Sequence, residues 1–134
     1  MYTVTRKHSF SYGHRLREHP GNCSRLHGHN GVLFVTVGSD ALDGGGMVVD
    51  FHEIKRTVAR WVDDTLDHRL VLQRGDPAAA LLQEAGEEIR VVDFEPTAEN
   101  LARHVYEALT ALGLPVREIV FEETENCRAC YRPG

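Results

Sequence analysis

The residue pattern predicts an α+β fold with strands at both ends of the chain and two long helices between them. Three observations predict it. Alternating apolar runs over Tyr2–Tyr12 and His27–Gly38 open the chain, two stretches with apolar residues at spacings of three and four follow, and a third alternating run, Val116–Glu123, closes it. At 134 residues the chain can build one hydrophobic core and is too short for two, so residues 1–134 are read as a single domain.

In the first run Tyr2, Val4, Phe10, Tyr12 and His14 share one parity and so one face of a strand. A polar loop through Glu18, His19, Pro20 and Gly21 separates it from the second strand. The centre of that strand, Val32-Leu33-Phe34-Val35, is apolar on both faces, which predicts cover on both sides: one from the chain's own helices, the other from a partner subunit. After Asp43-Gly44-Gly45-Gly46 and the short run Met47-Val48-Val49, Asp50 with Glu53 predicts a helix start of the capping-box kind. Phe51, Ile54, Val58, Trp61, Val62 and Leu66 then form its apolar stripe, leaving Asp67 and His68 on the following connection. Asp76-Pro77 opens a short helical piece that ends near Gly86, and Ile89–Phe94 reads as a strand. Thr97, after Pro96, caps a second long helix with Glu99 in its first turn; Leu101, Val105, Leu109 and Leu112 bury, and Gly113 with Pro115 ends it.

Composition excludes several classes. With 42% hydrophobic and 26% charged residues the chain is neither disordered nor membrane-embedded, and no signal-like or membrane-spanning stretch is present. Fifteen basic against twenty acidic residues give a net charge of −5, and the basic ones form no stripe that would follow a nucleic-acid backbone. Nucleic acid and membrane are therefore not expected partners, and a cytoplasmic location is. Three cysteines argue for free thiols rather than a disulfide framework. Cys127 and Cys130 form one Cys-x-x-Cys pair without the second that a zinc ribbon needs, and they are read as structural thiols.

The segment Cys23-Ser24-Arg25-Leu26-His27-Gly28-His29 carries the chemistry. Residues two apart in a strand point the same way, so His27 and His29 offer two imidazoles to one ion, and His14 offers a third. Three nitrogens with a vacant fourth position are the ligand set of a catalytic zinc, whereas a structural zinc is closed by a fourth side chain. A cupin-like site would instead need a carboxylate four or five residues after His29, where Leu33 and Phe34 stand. In the last strand Glu123 shares parity with Ile119 and Phe121, so of the adjacent acids Glu122 and Glu123 the second is expected to point inward. An inward carboxylate needs a partner, which makes Glu123 a candidate for holding a cationic or amide-like group of a ligand.

Six ordered blocks extend the pattern over nearly the whole chain: Gly13-His14-Arg15-Leu16; Cys23 through Asn30; Gly46-Met47-Val48-Val49-Asp50-Phe51; Leu66-Asp67-His68; Pro96-Thr97-Ala98-Glu99-Asn100; and Glu123-Thr124 leading to Tyr131-Arg132. Together they resemble the 6-pyruvoyl-tetrahydropterin synthase and 6-carboxytetrahydropterin synthase family. The resemblance implies a T-fold, an antiparallel sheet with two long helices on one face, assembled as a trimeric barrel and stacked as a hexamer with sites between subunits. It implies zinc on His14, His27 and His29, Cys23 as the proton acceptor, Asp67 and His68 relaying charge, and Glu123 anchoring a pterin ring.

Such an enzyme removes a proton from a carbon bearing a hydroxyl group, and zinc with an open position eases this as a Lewis acid. A thiol becomes a usable base when a metal and an imidazolium stand close, because both favour the thiolate. The interval of three residues between Cys23 and His27 is similar to that of bacterial 6-carboxytetrahydropterin synthases. It implies conversion of 7,8-dihydroneopterin triphosphate to 6-carboxy-5,6,7,8-tetrahydropterin with loss of acetaldehyde and triphosphate, as in queuosine and other 7-deazapurine synthesis. The alternatives are triphosphate elimination to the pyruvoyl product and a noncatalytic pterin binder. Two departures stand out: the longer segment Arg69–Glu95, and Gly31 after Asn30, where an aromatic residue is often found. Arg15, Arg17 and Arg25 are the nearby cations for a triphosphate.

Overall fold

The computed structural model describes residues 1–134, and its centre is a two-stranded antiparallel ribbon of unusual length. Strands β1 (Tyr2–His14) and β2 (His27–Ser39) pair along their full thirteen residues. The register sets Tyr12 opposite His29, His14 opposite His27 and Phe10 opposite Gly31. All six therefore share one face, because directly paired residues project to the same side.

The element order continues with α1 (Phe51–Thr65), β3 (Arg69–Gln73), α2 (Pro77–Glu84), β4 (Ile89–Val92), α3 (Ala98–Ala111), β5 (Val116–Thr124) and β6 (Cys127–Tyr131). The sheet order is β4-β3-β1-β2-β5-β6. β1, β2, β5 and β6 form the antiparallel part, while β3 joins β1, and β4 joins β3, in parallel. The sheet is thus mixed rather than wholly antiparallel. β3 and β6 extend it beyond the strands read from sequence; each has only five residues, too few for alternation to stand out.

Both long helices cover the inner face. α1 lies over β1 and α3 over β5 and β6, with α1 touching α3. Ile54, Val58, Val62 and Leu66 from the first, and Leu101, Ala102, Val105 and Leu109 from the second, meet Leu33, Val35, Val37, Ile119 and Phe121 in one core. Each fully buried Leu, Ile or Val contributes roughly 1.5–3 kcal/mol before chain entropy is counted. Phe51 is the exception in the α1 stripe: at the first helical position it projects outward and is 50% exposed. Val32, Phe34 and Val120 lie on the face away from the helices and are half-buried.

Capping follows the sequence with one difference. Thr97 accepts from the Asn100 amide at 3.1 Å, and Gly113, at φ +99°, ends α3 in the left-handed region open to glycine. At α1, Asp50 accepts from the His52 amide at 2.8 Å instead of forming the reciprocal bond with Glu53. The short helix α2 is capped by Asp76, which accepts from the Ala78 amide at 2.9 Å. No helix is long and apolar enough to cross a membrane.

Candidate functional site

His14, His27 and His29 bring their ligand nitrogens within 4.8 Å of one another. Alternation on two paired strands does this: His27 and His29 are two apart on β2, and His14 is the cross-strand partner of His27. Backbone carbonyls set the tautomers. His14 Nδ1 lies 2.8 Å from the Pro96 carbonyl oxygen and His27 Nδ1 lies 2.7 Å from that of Arg25. A carbonyl can only accept, so both Nδ1 atoms carry hydrogen and both Nε2 atoms present lone pairs. His14 and His29 point Nε2 at Nε2 across 3.2 Å, a spacing that needs a proton or a shared cation between them. Imidazoles backed by carbonyl oxygens, with free nitrogens converging, fit a divalent metal ion of the zinc type.

Burial favours the same state. His14 is 1% exposed, and desolvation pushes its pKa down to about 4 against the opposing pull of the Pro96 hydrogen bond. Burial also lowers His29, although the charge of Glu123 works the other way. Neutral imidazole is the form that binds metal. Glu123 points inward, as its parity with Phe121 predicts, and its Oε1 lies 3.8 Å from His14 Nε2. With His14 neutral, this is proximity to the site rather than an ion pair.

Asp67 and His68 form a second group. Ser11 of β1 donates its amide to Asp67 Oδ1 at 3.0 Å and accepts from the His68 amide at 2.7 Å. These two hydrogen bonds to Ser11 flank His68 at φ 57°, the left-handed region that a residue with a Cβ rarely enters. His68 Nδ1 then meets Asp67 Oδ2 at 2.9 Å. Burial opposes ionisation of Asp67 most strongly, yet the Ser11 amide and His68 together hold its pKa below the usual carboxylate value. A cavity of about 580 Å³ is lined by His27 and His29 together with Ser11, Asn30, His68 and Leu70.

Cys23 stands apart from both groups. It sits half-buried on the single 3-10 turn Asn22–Ser24, where its carbonyl accepts from the Leu16 amide at 2.8 Å. Its thiol is outside the histidine cluster, and Cys23 does not line the cavity. One chain therefore brings His14, His27, His29 and Glu123 together, sets Asp67 and His68 on the adjoining cavity, and leaves Cys23 outside. Of the three arginines, Arg15 is committed to Asp76, whose carboxylate it grips with both Nε and Nη2 while Asp76 is 3% exposed. The last residue of the segment Arg69–Glu95 also braces the chain just after β1: Glu95 accepts from the Arg17 amide at 2.8 Å. Ser11, Arg25 and Pro96 support the site through main-chain atoms, which no side-chain motif can reveal.

Residues 3–134 match the family model described as 6-pyruvoyl tetrahydropterin synthase. The chain belongs to this family. A relative from Rickettsia bellii, named 6-carboxy-5,6,7,8-tetrahydropterin synthase, is 37% identical over 134 residues, covering 95% of this chain and 97% of that protein. One of the same name from Aquifex aeolicus is 35% identical, covering 94% and 88%. Among solved structures, the 6-pyruvoyl tetrahydropterin synthase of Caenorhabditis elegans superposes with a TM-score of 0.76 at 28% identity, covering 99% of this chain and 96% of that one. The T-fold of the family is thus the fold of this chain.

Proposed function

We propose that this protein converts 7,8-dihydroneopterin triphosphate and one water to 6-carboxy-5,6,7,8-tetrahydropterin, releasing acetaldehyde and triphosphate. The observation that carries the reading is the convergence of three imidazoles, two of them backed by carbonyl oxygens, beside one inward carboxylate. Relatives named for the carboxy product support it over the pyruvoyl one.

His14, His27 and His29 would hold zinc, which when bound supplies Lewis-acid polarisation of an oxygen on the substrate side chain. The remaining roles belong to side chains. Glu123 accepts from the ring N–H groups and fixes the pterin, since a carboxylate is the natural acceptor for adjacent amide and amino donors. Cys23 takes the proton from the substrate carbon. His68, held by Asp67, favours the thiolate by charge and passes the proton on. Arg17 and Arg25 are the cations left for the triphosphate once Arg15 is spent on Asp76.

The absence of Cys23 from the cavity that His68 lines supports a site completed by a neighbouring subunit, in a trimeric barrel stacked as a hexamer. The half-buried Val32, Phe34 and Val120 on the face without helices support the same assembly. Incubating metal-loaded protein with dihydroneopterin triphosphate and identifying the product by mass tests the reading. The carboxy product upholds it, the pyruvoyl product replaces it with the sister activity, and an unchanged substrate removes it.

A further inference from the structure

Tyr12 is 4% exposed, and its hydroxyl is shut off from solvent without a hydrogen-bond partner. A hydroxyl buried in this way gives up its bonds to water without return, so its surroundings decide what it is for. Its ring lies 5.1 Å from His14 and 5.5 Å from His29, centroid to centroid, and packs edge-on to Phe121 and against Phe10. Gly31 makes this placement possible. A Cβ there would come 3.0 Å from both Phe10 Cζ and Tyr12 Cε1, two buried ring atoms with little room to yield.

Among the side chains of the ring's aromatic neighbours and the histidine site, one acceptor is left. Phe10 and Phe121 offer none. His14 uses Nδ1 on the Pro96 carbonyl and turns Nε2 to the cluster, and His29 also turns Nε2 there, so that its other ring nitrogen carries hydrogen when it ligates. Glu123 remains, with a carboxylate oxygen 3.8 Å from His14 Nε2. We infer that Tyr12 is a positioning residue for ligand recognition: its O–H donates to Glu123 as that carboxylate turns in to receive the N–H groups of the ring. The inference rests on the reading of Glu123 as the ring anchor.

The test is a double-mutant cycle on the metal-loaded protein, with Tyr12→Phe, Glu123→Ala and the pair. It reads the Kd for 7,8-dihydroneopterin by calorimetry, and KM and kcat with the triphosphate. Tyr12→Phe keeps the ring and leaves metal content unchanged, and it raises Kd and KM about tenfold with a much smaller change in kcat, the scale of one hydrogen bond to a charged group. In the Glu123→Ala background the same replacement has no further effect, because the two act as a unit. A Kd within about twofold of wild type, or an undiminished cost without Glu123, overturns the inference. Gly31→Ala gives a second route, displacing the ring and weakening binding by a similar factor; unchanged affinity there also overturns it. Failure of the wild type to bind any pterin removes the anchor reading itself, whereas wild-type binding with an indifferent Tyr12→Phe removes only the role of Tyr12.

Discussion

The two halves of the site are built differently. The half formed by His14, His27, His29 and Glu123 sits at the end of the longest strand pair, with His14 buried and main-chain carbonyls fixing two rings. The half formed by Cys23, Asp67 and His68 lies on turns, and the His68 side chain is 80% exposed. Strand pairing gives the first half its geometry within one chain. The second half has its backbone and the Asp67 carboxylate held while the His68 ring stays exposed, which suits a group that meets a substrate, and in the proposed assembly a neighbour, only on binding.

Removing the proposed base draws the sharpest contrast. Cys23→Ala is expected to lower turnover by about 10²–10⁴-fold, the usual contribution of a positioned base, while metal content and pterin affinity stay near wild type. Steady-state kinetics with metal analysis check it, and full activity in the variant dismisses the thiol. His14→Ala attacks the buried half instead: metal retention after dialysis is lost, and the emptied space under α3 costs about 2–4 kcal/mol in denaturant unfolding. A variant that holds metal as tightly as wild type would break the trio.

A smaller effect tests the brace behind His14. Asp76→Ala leaves the Arg15 guanidinium without its partner and uncaps α2, for an expected loss of about 2–3 kcal/mol. Because Arg15 follows His14 directly, metal affinity measured by chelator competition should weaken as well. An unaltered affinity would confine the role of Asp76 to the segment Arg69–Glu95.

The smallest change is a slope with pH. His104, packed between Trp61 and Phe94, is held below its ordinary pKa by burial and by Arg90. Its unfolded form therefore takes up a proton more readily, so the stability tied to its neutral state is present above pH about 6.5 and is lost as pH falls toward the folded value. His8, His14 and His29 are lowered too and act in the same sense. His104→Leu should flatten the fall in melting temperature between neutral and mildly acidic buffer without abolishing it. An identical slope would show that His104 stays neutral or equally solvated in both states.

Local periodicity made much of this legible. Alternation gave the long hairpin, the shared face of His14, His27 and His29, and the inward turn of Glu123; spacing gave α1 and α3 with their caps. Phe51 and Leu112, both expected to bury, are exposed, because the first position of α1 and the C-cap of α3 belong to the stripes by number but project past the ends of the core. The strands β3 and β6 are too short for a period to declare itself, and parallel pairing joins segments far apart in sequence.

The sequence by itself determined which residues can share a face, because that depends only on the repeat of strand and helix along the chain. The tertiary structure alone decided which faces meet: the Pro96 carbonyl behind His14, Asp76 on Arg15, the ring of Tyr12 beside Gly31, and Cys23 outside the cavity that His68 lines. These contacts are set by how distant segments pack, and no side-chain identity along the chain encodes a carbonyl's direction or the space left beside a glycine.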